Sequence, residues 1–139
     1  MEEIELRFSD MNMYAYFRNS VGELLKDWFP KGHTLIEIAV NEALNNAFLH
    51  GNRESAKPLV VMKVSKVDEH NLVIRVKDLG QGFSLRRSRD KRARVKADKI
   101  MSESGRGLLI MEQVFDDIYY NEVGNEVTMV KRIGGQGAK

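Results

Sequence analysis

Asn41-Glu42-Ala43-Leu44-Asn45-Asn46-Ala47-Phe48-Leu49-His50-Gly51 reads as the second half of an amphipathic helix with polar groups inside its apolar stripe. The helix is predicted from Leu35 to about Leu49. Thr34 and Glu37 form a capping-box pattern at its start, in which each side chain can satisfy the other's free backbone N–H. His50-Gly51 ends it, glycine being suited to the left-handed closing position. With Glu42 set at zero and about 100° per residue, Leu35, Ile38, Ala39 and Leu49 fall within about 60°, and Asn46 within about 40°. Ile36, Val40, Ala43 and Ala47 continue the arc, while Glu37, Asn41 and Asn45 mark the polar side. Glu42 and Asn46 therefore stand one turn apart within the stripe. An unpaired buried charge costs several kcal/mol, so both need partners. Either the edge of the stripe is solvated, or Glu42 meets a buried cation, or both groups face a pocket. In a pocket an amide oxygen can ligate a hard cation and a carboxylate can take a proton.

Upstream, Ile4-Glu5-Leu6-Arg7-Phe8 alternates as a half-buried strand, and Ser9 or Asp10 caps a helix running to about Trp28-Phe29, stopped by Pro30 and Gly32. Downstream, Leu59 to Val67 and Leu72 to Lys77 read as a hairpin around Asp68-Glu69-His70-Asn71. Leu108 to Asp116 reads as a third helix. Ile118 to Val123 and Glu126 to Ile133 make a last hairpin around Gly124-Asn125, before a frayed tail from Gly134 to Lys139. Strands and helices are segregated, which predicts an α+β layer rather than a doubly wound parallel sheet.

The 139 residues suit a single domain, taken as 1–139, with 42% apolar and 30% charged residues in an ordinary globular balance. No apolar window has the length of a membrane span, and Met1-Glu2-Glu3 does not open a signal peptide, so the expected address is the cytoplasm, away from membranes. With no cysteine, disulfide scaffolds, thiol nucleophiles and cysteine-based metal sites are excluded. The net charge of +2 hides a local imbalance. Arg86, Arg87, Arg89, Lys91, Arg92, Arg94 and Lys96 face one acid, Asp90; removing that stretch from 22 basic and 20 acidic residues leaves 15 and 19, a net of −4. A nucleic-acid partner ranks last, since no aromatic residue interleaves those charges; a local anion or protein contact, or a merely solvated run, fits them better.

Two glycine clusters carry the remaining chemistry. Asp78-Leu79-Gly80-Gln81-Gly82 ends an apolar strand with an acid and lets the backbone approach a ligand, although D-x-G-x-G alone is more often just a loop. Ser104-Gly105-Arg106-Gly107 directly precedes an apolar helix, where free N–H groups and the helix dipole suit a phosphate. Neither cluster has P-loop or dinucleotide-fold spacing. In combination and order, an E-x-x-x-N helix ending in His-Gly, D-x-G-x-G, G-x-G opening a helix, and a closing hairpin resemble the GHKL ATPases, the family of gyrase, Hsp90, histidine kinases and MutL. The stretch from Asn41 to Gly51, with a single short domain and a leading strand and helix, is most similar to the anti-sigma-factor serine/threonine kinase branch. The likeness runs from about Ile4 to Arg132.

That resemblance implies a two-layer α/β sandwich of the GHKL (Bergerat) type, with a mixed, mostly antiparallel sheet and helices on one face. It implies ATP and Mg2+ as ligands. Glu42 takes the catalytic role of polarising the attacking hydroxyl, Asn46 holds the magnesium, and Asp78 bonds the adenine amino group, with Gly80 and Gly82 allowing its approach. Gly105 and Gly107 bring N–H groups to the phosphates, and Arg106 reaches toward the γ-phosphate or faces water. Residues 83–103 become an ATP lid, and His50 a structural helix-end histidine. Two departures stand out: Asn125 follows Gly124 where the family usually has a threonine, so adenine contacts differ or use Asn125 itself, and Glu103 precedes Ser104 where some anti-sigma kinases place arginine. The implied activity is phosphorylation of a STAS-domain anti-anti-sigma protein by a homodimer that also sequesters a sigma factor. The alternative is a non-catalytic ATP-binding switch acting on a partner phosphatase or kinase. A histidine-kinase fragment ranks lower, because no helix with a phosphoacceptor histidine precedes the domain.

Overall fold

A helix begins where a side chain can take the first free N–H groups, and Asp10 does so here. Its carboxylate accepts from Met13 N–H at 2.8 Å and starts α1 (Met11–Trp28) immediately after strand β1 (Glu2–Phe8). The computed structural model describes residues 2–48, 59–68, 70–78, 105–122 and 124–132. Phe29 ends α1, and its carbonyl accepts the N–H groups of both Gly32 and His33, so α2 (His33–Asn46) starts two residues before the expected Leu35. Gly32 caps it without a side-chain bond, and the capping box of Thr34 and Glu37 does not form. Glu37 is occupied elsewhere: its Oε2 lies 2.8 Å from His33 Nδ1, and a methyl group added at Gly22 of α1 would meet its Oε1 at 2.6 Å.

The other described elements are β2 (Val60–Lys66), β3 (Asn71–Asp78), α3 (Gly105–Val114), β4 (Asp117–Tyr120) and β5 (Glu126–Arg132). They form one five-stranded sheet in the order β1-β2-β3-β5-β4, antiparallel at every described pairing. The turn between β2 and β3 is held by Asp68, whose carboxylate accepts from His70 N–H at 2.7 Å and from Asn71 Nδ2 at 3.2 Å. Those bonds, the His70 N–H first, hold the Asp68 carboxyl below the usual range.

Alternate strand residues turn inward. Phe8, Met62, Val64, Leu72, Ile74, Val76, Ile118, Val127 and Met129 join Tyr14, Leu25, Ile36, Val40, Leu44 and Met111 in a single buried cluster. Both α1 and α3 pack on α2, making it the middle of the helical layer. The fold is thus the α+β two-layer arrangement that the sequence implies, with its core between sheet and helices.

One expectation about α2 needs correction. Leu35 is 60% exposed and Ile38 44% exposed, so neither belongs to the buried stripe. The core face runs through Ile36, Ala39, Val40, Ala43, Leu44 and Ala47. The sheet and the flanking helices cover only that side, leaving the Leu35–Ile38 flank overhanging. Glu42 lies on the partly exposed flank, while Asn46 is buried.

Candidate functional site

A cavity opens where α2, β3, α3 and the β4–β5 turn meet, lined by Ala43, Asn46, Ala47, Val76, Asp78, Met111, Tyr120, Gly124, Asn125 and Val127. Its walls are mostly apolar, with Asn46, Asp78 and the Tyr120–Asn125 pair bringing polar groups from three distant parts of the sequence, the usual composition of a small-molecule site. Asn46 comes from the end of α2, where the coil widens into a π turn at Ala47 and Phe48. Asp78 is the final residue of β3, paired with Val60 of β2. Asn125 directly precedes β5, and its carbonyl accepts the Asp78 N–H at 2.9 Å, carrying the β3–β5 ladder one step further and setting the two residues side by side.

Asn46 and Asp78 are each only 6% exposed. Asn46 Oδ1 is fully buried and has no hydrogen-bond partner among the described residues. Buried polar atoms are nearly always satisfied, so an orphaned acceptor on a cavity wall marks a place for a donor or a cation. Among the described residues no group of three or more His, Asp or Glu side chains could cage a metal. A lone amide oxygen suits the binding mode of Mg2+, which takes few protein ligands and completes its shell with water and phosphate oxygens. The residues present fit that ion.

The β4–β5 turn is built from within. Gly124 has φ 85°, a left-handed conformation open to glycine. Asn121 Oδ1 accepts the backbone N–H groups of Gly124, Asn125 and Glu126, and its amino group donates to Asn125 Oδ1 at 2.8 Å. Neither Asn121 nor Tyr120 is singled out by the sequence reading. An asparagine three residues before a Gly-Asn pair was the available signal, since asparagine readily bonds nearby backbone.

Glu42, one turn before Asn46, is partly exposed and lies outside the residues that line the cavity. Gly105, Arg106 and Gly107 form the first turn of α3 instead of preceding it, so the second glycine cluster supplies the helix's own free N–H groups. Gly80, Gly82, His50, Glu103 and the expected lid, 83–103, lie outside the described residues.

The model of the histidine kinase-like ATPase domain matches residues 12–131, which takes in α1 from its second residue, α2, α3 and the described cavity. The chain belongs to the histidine kinase-like ATPase family. Among its relatives within that family, the anti-sigma F factor of Bacillus subtilis (strain 168) is 28% identical over 138 residues, covering 94% of this chain and 92% of the relative. The anti-sigma F factor of Anoxybacillus flavithermus is 28% identical over 135 residues, covering 94% and 90%. The serine-protein kinase RsbW of Staphylococcus aureus (strain JH9) is 28% identical over 101 residues, covering 70% of this chain and 64% of the relative. These likenesses agree with the GHKL resemblance and with its anti-sigma kinase branch.

Proposed function

We propose that this histidine kinase-like ATPase domain binds Mg-ATP in the cavity between α2, β3 and α3 and transfers the γ-phosphoryl group to a serine or threonine of a STAS-type anti-anti-sigma protein. In its other state it holds a sigma factor, acting as a homodimer in the cytoplasm. The observation that carries the reading is the unsatisfied Asn46 Oδ1, buried on the wall that it shares with Asp78 and Asn125. The names of the relatives, anti-sigma F factor and serine-protein kinase, support a sigma-factor partner and a protein serine as phosphoryl acceptor.

In this reading Asp78 accepts from the adenine amino group, Gly80 and Gly82 allow the base to approach, and the first turn of α3, Gly105 to Gly107, offers N–H groups to the phosphates. Asn46 would hold the cation, which when bound neutralises phosphate charge during transfer. Glu42 accepts the proton of the incoming hydroxyl as its oxygen bonds to the γ-phosphorus and the bond to the β-phosphate oxygen breaks, releasing ADP. Its partly exposed position on α2 leaves it open to a hydroxyl carried by another protein.

The test is incubation with γ-labelled ATP, Mg2+ and STAS proteins encoded nearby. The parent should label a serine or threonine, and Glu42→Gln should lose labelling by at least about 100-fold, within the range for general base catalysis, while keeping nucleotide. The non-catalytic switch is favoured at one point, because Glu42 stands outside the cavity lining. No labelling by the parent, together with undiminished partner binding by Glu42→Ala, would establish that alternative.

A further inference from the structure

A second recess lies between α1 and α2 and shares no lining residue with the cavity at Asn46. It has a volume of about 340 Å³ and is lined by Tyr14, Arg18, Thr34, Glu37, Ile38 and Asn41. That size falls in the range of small-molecule pockets. Tyr14, 2% exposed, is the buried member of the set, while Arg18, Thr34 and Ile38 stand open to solvent. The Tyr14 hydroxyl makes no hydrogen bond with any described residue. Asn46 Oδ1 is the one side-chain N or O that is both fully enclosed and unbonded among the described residues, so the Tyr14 oxygen must keep an opening, and the recess that Tyr14 lines provides it. Burial raises its ionisation, opposed by Arg18 and aided by Glu37, which sets the phenol end between two other lining side chains. The group there is a neutral O–H, a donor without an acceptor.

The neighbours extend that pattern. The Arg18 guanidinium lies 5.6 Å from the Tyr14 ring centroid and forms no ion pair with a described residue. Glu37 is already engaged: Oε2 lies 2.8 Å from His33 Nδ1, and Oε1 sits close over Gly22. Ile38, 44% exposed, offers an apolar wall. We propose that this recess is a second ligand site, separate from the cavity at Asn46, and that it takes a small monocarboxylate with an aliphatic body. The planar fork of Arg18 matches the two oxygens of a carboxylate. The Tyr14 hydroxyl supplies a further donor, and Ile38 covers the hydrocarbon. Arg18 is the one cation among the lining residues, and the Glu37 carboxylate repels a second negative charge, so a phosphate dianion suits the recess less well.

Titration calorimetry of the intact chain with hexanoate, and with neutral hexanamide as its comparator, tests the idea. Hexanoate should bind with a Kd on the order of 1 mM, as expected for so small a ligand. Hexanamide should bind at least about tenfold more weakly, the worth of a hydrogen bond to a charged group. Arg18→Gln and Tyr14→Phe should each weaken hexanoate about tenfold. Tyr14→Phe deletes an unbonded oxygen and keeps the edge contact with the Phe8 ring, 5.3 Å away, so its Tm should not fall. Asn46→Leu, which alters the other cavity, should leave hexanoate affinity unchanged. A loss of affinity there would place hexanoate in that cavity and overturn the second site. Equal binding of hexanoate and hexanamide, or unchanged affinity in both Arg18→Gln and Tyr14→Phe, overturns carboxylate recognition by these residues. Absence of hexanoate binding overturns the proposal, whether or not an acidic peptide binds in its place. None of these outcomes depends on ATP binding.

Discussion

Replacing Asn46 by leucine should make the ligand-free protein more stable and its ligand response weaker. Asn46 Oδ1 is buried with no partner among the described residues, and an unsatisfied acceptor of this kind costs about 1–3 kcal/mol in the folded state. Leucine removes that penalty and is the better helix former at the end of α2 by roughly 0.5 kcal/mol. Against this, its branched shape costs up to ~1.5 kcal/mol where it does not match the site. The balance is a gain of about 1 kcal/mol, or roughly 3–4 °C in Tm for a domain of this length. Mg-ATP at 100 times its Kd should stabilise the parent by about 2.7 kcal/mol. The variant should lose the Mg2+-dependent part of that gain, so the two melting curves exchange order when Mg-ATP is added. Thermal melts of both proteins, bare, with ATP and chelator, and with Mg-ATP, provide the comparison. A variant that melts lower without ligand, or that keeps the full Mg2+-dependent shift, would refute the inference that this oxygen is kept unsatisfied for a cation.

Asp78→Asn should weaken ATP binding by roughly 10- to 100-fold, the worth of a hydrogen bond to a charged acceptor; unchanged affinity in calorimetry would remove Asp78 from base recognition. Burial pushes the Tyr14 hydroxyl above the usual tyrosine range, opposed by Arg18, whose guanidinium lies 5.6 Å from the ring centroid, and aided by Glu37. The neutral hydroxyl is thus the form the folded state prefers. Its contribution to stability is complete below the unfolded value near ~10 and is lost as pH rises through the folded value. In a phenolate absorbance titration Tyr14→Phe should remove an ionisation step above the usual tyrosine range; a variant whose titration above that range matches the parent's would contradict it.

Much of this fold is legible in linear sequence because local chemistry and global packing agree. Asp10 caps α1 as expected, and the Asp68 turn closes its hairpin through a side chain three residues from its partner. Legibility ends where a distant segment takes over a local group. Thr34-x-x-Glu37 fails as a capping box because Glu37 is claimed by His33 and by the space over Gly22 of another helix. A helical wheel likewise cannot tell which flank of an apolar arc the sheet will cover, so Leu35 and Ile38 look like core and are not. At the site, Asn46 and Asp78 are visible as polar residues amid apolar patterns. Asn121 looks like ordinary loop composition until the turn brings three N–H groups onto its oxygen.

During synthesis, the strand order imposes a waiting time on β1. Glu2 finds Lys66 and Phe8 finds Val60, so β1 stays without its sheet neighbour for several seconds at translation rates of about 5–20 residues per second. The last of the five described strands to appear is then the one that slots between β3 and β4, joining them. Until that late arrival, β3 presents an open edge beside Leu72, Ile74 and Val76. A ribosome stalled before Glu126 would thus hold out a nascent chain whose β3 edge is open to pairing with another strand.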